Sequence, residues 1–141
     1  MTQILLVGCG KMGGSLLDGW LDLGLSPHDI FVVDPEEAKR LSRPHIRVAA
    51  DVSALPEGFR PDVIVLAVKP QMMDGVLPAY GEFKAAVFLS IAAGKPLSYF
   101  SRILGSGAAV VRAMPNTPAA VRRGMTVAIA NSIVAEAQRL V

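Results

Sequence analysis

The sequence predicts an α/β fold, a doubly wound, mostly parallel sheet with helices on both faces. Three observations carry that prediction. Short runs that are apolar at every position alternate with amphipathic stretches, as strands covered on both faces require. Most junctions between them hold Gly, Pro or Asp, the residues that end strands and start helices. The 141 residues are 52% hydrophobic and 18% charged, enough apolar material for one domain with a buried core and too little charge for a disordered chain.

The elements follow in order. Ile4-Leu5-Leu6-Val7 is the first buried strand, closed by Gly8-Cys9-Gly10-Lys11-Met12-Gly13. A helix follows, with Met12, Leu16, Trp20 and Leu23 on one stripe and Gly24 as its stop. Ser26-Pro27-His28-Asp29 turns into a second strand, Ile30-Phe31-Val32-Val33, which Asp34-Pro35 ends. Residues 35–43 read as a short helix with proline at its first position. A weak third strand is expected over 46–48 and a strong fourth over 63–68. After Lys69-Pro70 a helix is expected over 71–82, made irregular by Pro78. Strands over 86–91 and 109–113 flank a short helix over 96–104 with Gly105 beyond it, and a last strand is expected over 125–130.

Composition excludes several functions. Fourteen basic and twelve acidic residues leave a formal charge of +2, too little for a nucleic-acid footprint. The mean hydropathy is +0.44, yet no apolar run approaches the roughly 20 residues that span a bilayer. No membrane partner is expected, and no signal-peptide pattern precedes the first strand. The single cysteine cannot form an intrachain disulfide, which fits a cytoplasmic location. His28 and His45 stand apart from any cysteine or carboxylate cluster, so no metal site is expected.

The turn Gly8-x-Gly10-x-x-Gly13 draws its meaning from context, since a buried strand precedes it and an amphipathic helix follows. Gly8 permits the tight turn, Gly10 lets a pyrophosphate approach the backbone, and Gly13 lets the helix pack close to the strand. The helix N-terminus then offers free N–H groups and a partial positive charge to phosphates. The sheet is accordingly expected to be of Rossmann type, with Gly8, Cys9, Gly10, Lys11, Met12 and Gly13 binding a dinucleotide. A phosphate-loop nucleotidase is excluded, because Leu5 stands where that motif needs glycine and Met12 where it needs Ser or Thr. Asp34, at the end of the second strand, is placed to accept from ribose hydroxyls and to repel a 2′-phosphate, with Glu36 and Glu37 adding to the repulsion. On these residues NADH is favoured over NADPH. Asp34-Pro35 also suits a plain turn. Arg112 could pair with a substrate carboxylate, but its place inside a strand favours a structural ion pair or an edge position.

Three more segments fall at the carboxyl ends of predicted strands, where such sheets bind ligands. They are Ala67-Val68-Lys69-Pro70, Ser90-Ile91-Ala92-Ala93-Gly94 and Arg112-Ala113-Met114-Pro115-Asn116-Thr117-Pro118. With Gly124-Met125-Thr126, their order and spacing resemble the pyrroline-5-carboxylate reductase family over nearly the whole chain. The resemblance implies NAD(P)H as cofactor, a habit of using NADPH, and hydride transfer to the C=N carbon of Δ1-pyrroline-5-carboxylate to give proline. It implies that Ala67, Val68, Lys69, Pro70, Ala92, Ala93 and Gly94 line the dinucleotide. Met114, Asn116 and Thr117 would lie near the nicotinamide and substrate. Asp34 departs from the small polar residue common in the family. No residue stands out as the proton donor.

The family places substrate-binding groups and the dimer contact mainly in a later helical domain. Residues 1–131 are thus expected to be the dinucleotide-binding domain, and 132–141 the start of a helix leading to a domain absent from the chain. On that reading the chain alone binds dinucleotide and reduces imine poorly, and a homo-oligomer forms through the missing part. Two other readings are open: a dehydrogenase of the β-hydroxyacid type, and a non-catalytic NAD-sensing module.

Overall fold

The computed structural model describes residues 3–40, 45–92, 94–105, 107–115 and 126–130. Seven strands form one sheet: β1 (Ile4–Val7), β2 (Ile30–Val33), β3 (Arg47–Ala49), β4 (Val63–Leu66), β5 (Val87–Ser90), β6 (Ala109–Pro115) and β7 (Thr126–Ala130). Their order is β3-β2-β1-β4-β5-β6-β7. The first six run parallel, and β7 joins the edge antiparallel to β6. The doubly wound, mostly parallel sheet expected from the sequence is what forms, and the order reverses direction between β1 and β4.

The uniform apolar runs are explained by coverage on both faces. Alternate strand residues point to opposite sides. Leu5, Val7, Phe31, Val33, Ile64, Leu66 and Phe88 enter one core cluster, shared with α3 (Met73–Val76) and α4 (Leu97–Leu104). Ile4, Leu6, Ile30, Val32 and Val65 enter the other, which Leu17 of α1 (Lys11–Asp22) completes.

Several details differ from the sequence-based expectation. The buried face of α1 is Gly13, Gly14 and Leu17. Leu16 and Trp20 flank it, and Leu23 is 73% exposed. Two glycines let the helix approach the sheet, so the contact line runs through them and not along the stripe of large side chains. The helix expected over 71–82 is broken into 3-10 turns at Pro70–Met72 and Leu77–Tyr80 around the single α-turn of α3. Pro78 has no N–H for helix bonding, and its ring clashes with the preceding turn. Strand β4 stops at Leu66, two residues before its apolar run ends, and β3 begins one residue later than expected. The helix α2 (Pro35–Arg40) starts with proline as anticipated.

Tyr99 of α4 donates its hydroxyl to the Asp74 carboxylate of α3, with Lys95 Nζ 4.4 Å from its ring centroid. Burial, and then the bond to Asp74 and that carboxylate's charge, push the Tyr99 phenol up to about 12, with Arg102 pulling the other way. Burial, and then the charge of Asp51, push Tyr80 up to about 12 as well. These are the chain's two tyrosines. Phenolate absorbance of the folded chain should therefore rise near pH 12 and not near the ordinary value of 10. The folded state keeps protons that the unfolded state has already lost. This contribution to stability is thus complete below pH 10 and disappears as pH climbs to 12. A spectrophotometric titration centred on pH 10, with stability unchanged to pH 12, would contradict it.

Candidate dinucleotide site

The reversal of strand order opens a crevice at the carboxyl ends of β1 and β4, the place where open α/β sheets bind ligands. The glycine turn and the Ala67–Pro70 segment meet there. Ala67 donates its N–H to Val7 O at 2.8 Å, and Gly8 donates to Val33 O at 2.9 Å. A Cβ placed on Gly8 would lie 2.9 Å from the Ala67 carbonyl carbon and 3.0 Å from Val68 Cγ1. Gly8 also has φ +93°, a conformation that side chains rarely tolerate.

The other two glycines differ in kind. A Cβ on Gly13 would stand 2.3 Å from Gly8 O, so this glycine is what lets the helix start against the turn. A Cβ on Gly10 would meet nothing within 4 Å. The space before Gly10 is open, as a close-approaching phosphate requires. Gly10 is also the N-cap of α1, whose first intrahelical bond is Gly14 N to Gly10 O at 2.8 Å. No side chain caps this helix end, and no acidic residue occupies its first turn. The amides of Lys11, Met12 and Gly13 thus face the crevice end of a 12-residue helix, a field that favours an anion. The residues present fit a dinucleotide diphosphate.

Asp34 sits between the turn and α2. Its Oδ1 accepts from the amides of Glu36 (2.8 Å) and Glu37 (3.0 Å), capping α2. Its Oδ2 accepts from the Cys9 amide at 2.6 Å. Cys9 therefore presents neither group to the crevice: its N–H is given to Asp34, and its buried side chain belongs to the core cluster under α1. Glu37 is 1% exposed, so its carboxylate is withdrawn from the surface on which a 2′-phosphate would be repelled. Only Asp34 and Glu36 remain of the three acids expected there.

The remaining predicted residues fall as follows. Lys69 is exposed, and Pro70 opens the 3-10 turn after β4. Val68 packs against the main core cluster. Ala92 is buried, and its amide donates to Ser90 Oγ at 3.2 Å. This bond shapes the turn after β5, and the sequence reading did not anticipate it. Gly94 is exposed with φ +77°. Met114 lies in β6 near its carboxyl end. Ala93, Asn116, Thr117, the Gly124-Met125 pair and the helix expected over 132–141 lie outside the described residues. Arg112 lies in β6, and its Nε is buried with no hydrogen-bond acceptor among the described residues.

A cavity of about 690 Å³ lies elsewhere. Its walls include Leu55, Phe59, Phe83 and Ala86, which precede β4 and β5. It therefore opens at the amino ends of the strands, opposite the glycine turn. Ser53, Glu57, Arg60, Glu82 and Lys84 also line it, a mixed-charge wall without the uncapped end of a long helix that the crevice offers.

Comparison with known proteins places this geometry in a family. The model described as "NADP oxidoreductase coenzyme F420-dependent" matches residues 3–94. Pyrroline-5-carboxylate reductase of Escherichia coli is 37% identical over 136 residues, 94% of this chain and 51% of the relative. That of Haemophilus influenzae is 36% identical over 124 residues, 86% of this chain and 46% of the relative. The solved pyrroline-5-carboxylate reductase of Coxiella burnetii superposes with a TM-score of 0.87 at 28% identity, covering 99% of this chain and 53% of that one. Plasmodium falciparum pyrroline carboxylate reductase, solved with NADP bound, shares the fold with a TM-score of 0.85 at 24% identity, covering 99% and 52%. The chain spans about half the length of the curated relatives it matches. It belongs to the family described as NADP oxidoreductase coenzyme F420-dependent and is a homologue of the pyrroline-5-carboxylate reductases over that half.

Proposed function

We propose that this chain is the cofactor-binding half of a pyrroline-5-carboxylate reductase, residues 1–131 forming the dinucleotide domain and 132–141 leading toward a helical domain. The observation that carries the reading is the uncapped, acid-free N-terminus of α1 behind the open space at Gly10. When bound, NADH or NADPH supplies the hydride that reduces the C=N bond of Δ1-pyrroline-5-carboxylate to proline.

The chain's own residues bind and orient. The amides of Lys11, Met12 and Gly13 hold the diphosphate, and Gly10 keeps the approach clear. Ala67 to Pro70 and Ala92 to Gly94 line the crevice beside it. Met114, near the carboxyl end of β6, and Asn116 and Thr117, next after β6 in sequence, are assigned to the nicotinamide and substrate. No acid is assigned to protonate the imine nitrogen. That group, the remainder of the substrate site and the contact for a homo-oligomer belong to the helical domain. A cytoplasmic location accords with the lack, among the described residues, of any helix long and apolar enough to cross a membrane.

Asp34 favours NADH. A carboxylate has about four acceptor positions, and three here are filled by amides. The one left, on Oδ2, suits a ribose hydroxyl and repels a 2′-phosphate. Titration of both nucleotides into the chain should show NADH binding about tenfold tighter, or about 1.4 kcal/mol. Added Δ1-pyrroline-5-carboxylate should not speed NADH oxidation by the 141-residue chain. A preference for NADPH would overturn the role given to Asp34. Rapid turnover would overturn the assignment of the substrate machinery to a further domain, and failure to bind either nucleotide would overturn the function.

A further inference from the structure

Two bonds join the glycine turn to the end of β2: Gly8 N to Val33 O at 2.9 Å, and Cys9 N to Asp34 Oδ2 at 2.6 Å. Asp34 is itself fixed from two more directions. Its amide donates to Ala49 O of β3 at 2.9 Å, and its Oδ1 caps α2 through Glu36 and Glu37. From this arrangement we infer that Asp34 is a positioning residue for the diphosphate site as well as a contact for the adenosine ribose. The inference rests on the dinucleotide reading above.

The physical argument concerns the two residues before Gly10. Gly8 adopts φ +93°, which must be held by its surroundings. Oδ2 turns the Cys9 amide sideways toward β2, away from the crevice. The diphosphate is thereby confined to the amides after Gly10, and these are aligned by a turn already clamped at both preceding residues. Preorganised donors bind an anion without the cost of ordering them. Loss of the carboxylate frees the turn, removes the acceptor of the Cys9 amide and weakens binding of a diphosphate that Asp34 does not itself touch.

The test compares the chain with its Asp34→Ser variant. Serine is as good an N-cap as aspartate, so α2 keeps its start. A single hydroxyl cannot also reach the position that Oδ2 occupies. The probes are NADH and 2′,3′-dideoxyadenosine diphosphate, which keeps the diphosphate and offers no ribose hydroxyl. The variant should bind the dideoxy nucleotide about fivefold more weakly, the loss expected for one hydrogen bond, and NADH more weakly still. Hydrogen exchange of the Cys9 amide, read in the unmodified chain, should be slow, and in the variant fast. Unchanged affinity for the dideoxy nucleotide alongside weakened NADH would limit Asp34 to the ribose and overturn the inference. So would fast exchange of Cys9 in the unmodified chain, whatever becomes of the variant. If the unmodified chain binds neither probe, the dinucleotide reading itself falls and the inference falls with it.

Discussion

Replacing Gly10 by aspartate should leave the chain folded, or slightly more stable, while abolishing dinucleotide binding. Gly10 has φ −75°, outside the left-handed region that favours glycine, and a Cβ there meets nothing within 4 Å. Aspartate is among the best N-cap residues, better than glycine by a few tenths of a kcal/mol, and its charge suits the positive helix end. The same carboxylate occupies the amides of the first turn and repels an incoming diphosphate. Affinity for NADH should fall at least about 100-fold, or about 2.7 kcal/mol. Paired thermal melts and NADH titrations check this. A variant that binds NADH within about threefold of the unmodified chain would show that the diphosphate lies elsewhere.

The opposite result is expected at Gly13. The added methyl of Gly13→Ala would stand 2.3 Å from Gly8 O, 3.1 Å from Gly8 C and 3.3 Å from Ala67 Cβ. The two nearest atoms are backbone, so no rotamer change relieves the clash. Either the start of α1 moves off the sheet or the turn at Gly8 deforms. Overpacking of this kind costs about 3 kcal/mol, roughly 10 °C in melting temperature for a domain of this size. NADH binding should fall with it, because the displaced amides no longer converge. A melting point within about 2 °C of the unmodified chain would contradict the close approach. Together the two variants separate a glycine that serves binding from one that serves packing.

The parts of the fold that depend on local pattern were legible. Strands β1 and β2 have the bounds their apolar runs suggest, because a strand buried on both faces must be apolar throughout. The roles of Gly8 and Gly13 were also legible, since each answers to a turn whose form the strand–helix context dictates. Features set by distant partners were not. Leu17, and not Leu23, is buried, because the glycine pair draws the sheet to its own side of α1. The antiparallel placement of β7 depends on which strand edge is vacant, which periodicity does not reveal. The carboxylate of Asp34 lies 25 residues from the Cys9 amide it binds. The caps to Glu36 and Glu37 are local bonds, whereas nothing near Asp34 in sequence signals the bond to Cys9.

The most direct measurement is an amide NMR titration of the chain with NADH. The largest shifts should fall on Lys11, Met12 and Gly13, with the resonances of Leu55, Phe59, Phe83 and Ala86 at the opposite end of the sheet unmoved. Shifts centred on those four residues, with the first turn of α1 unperturbed, would contradict the account.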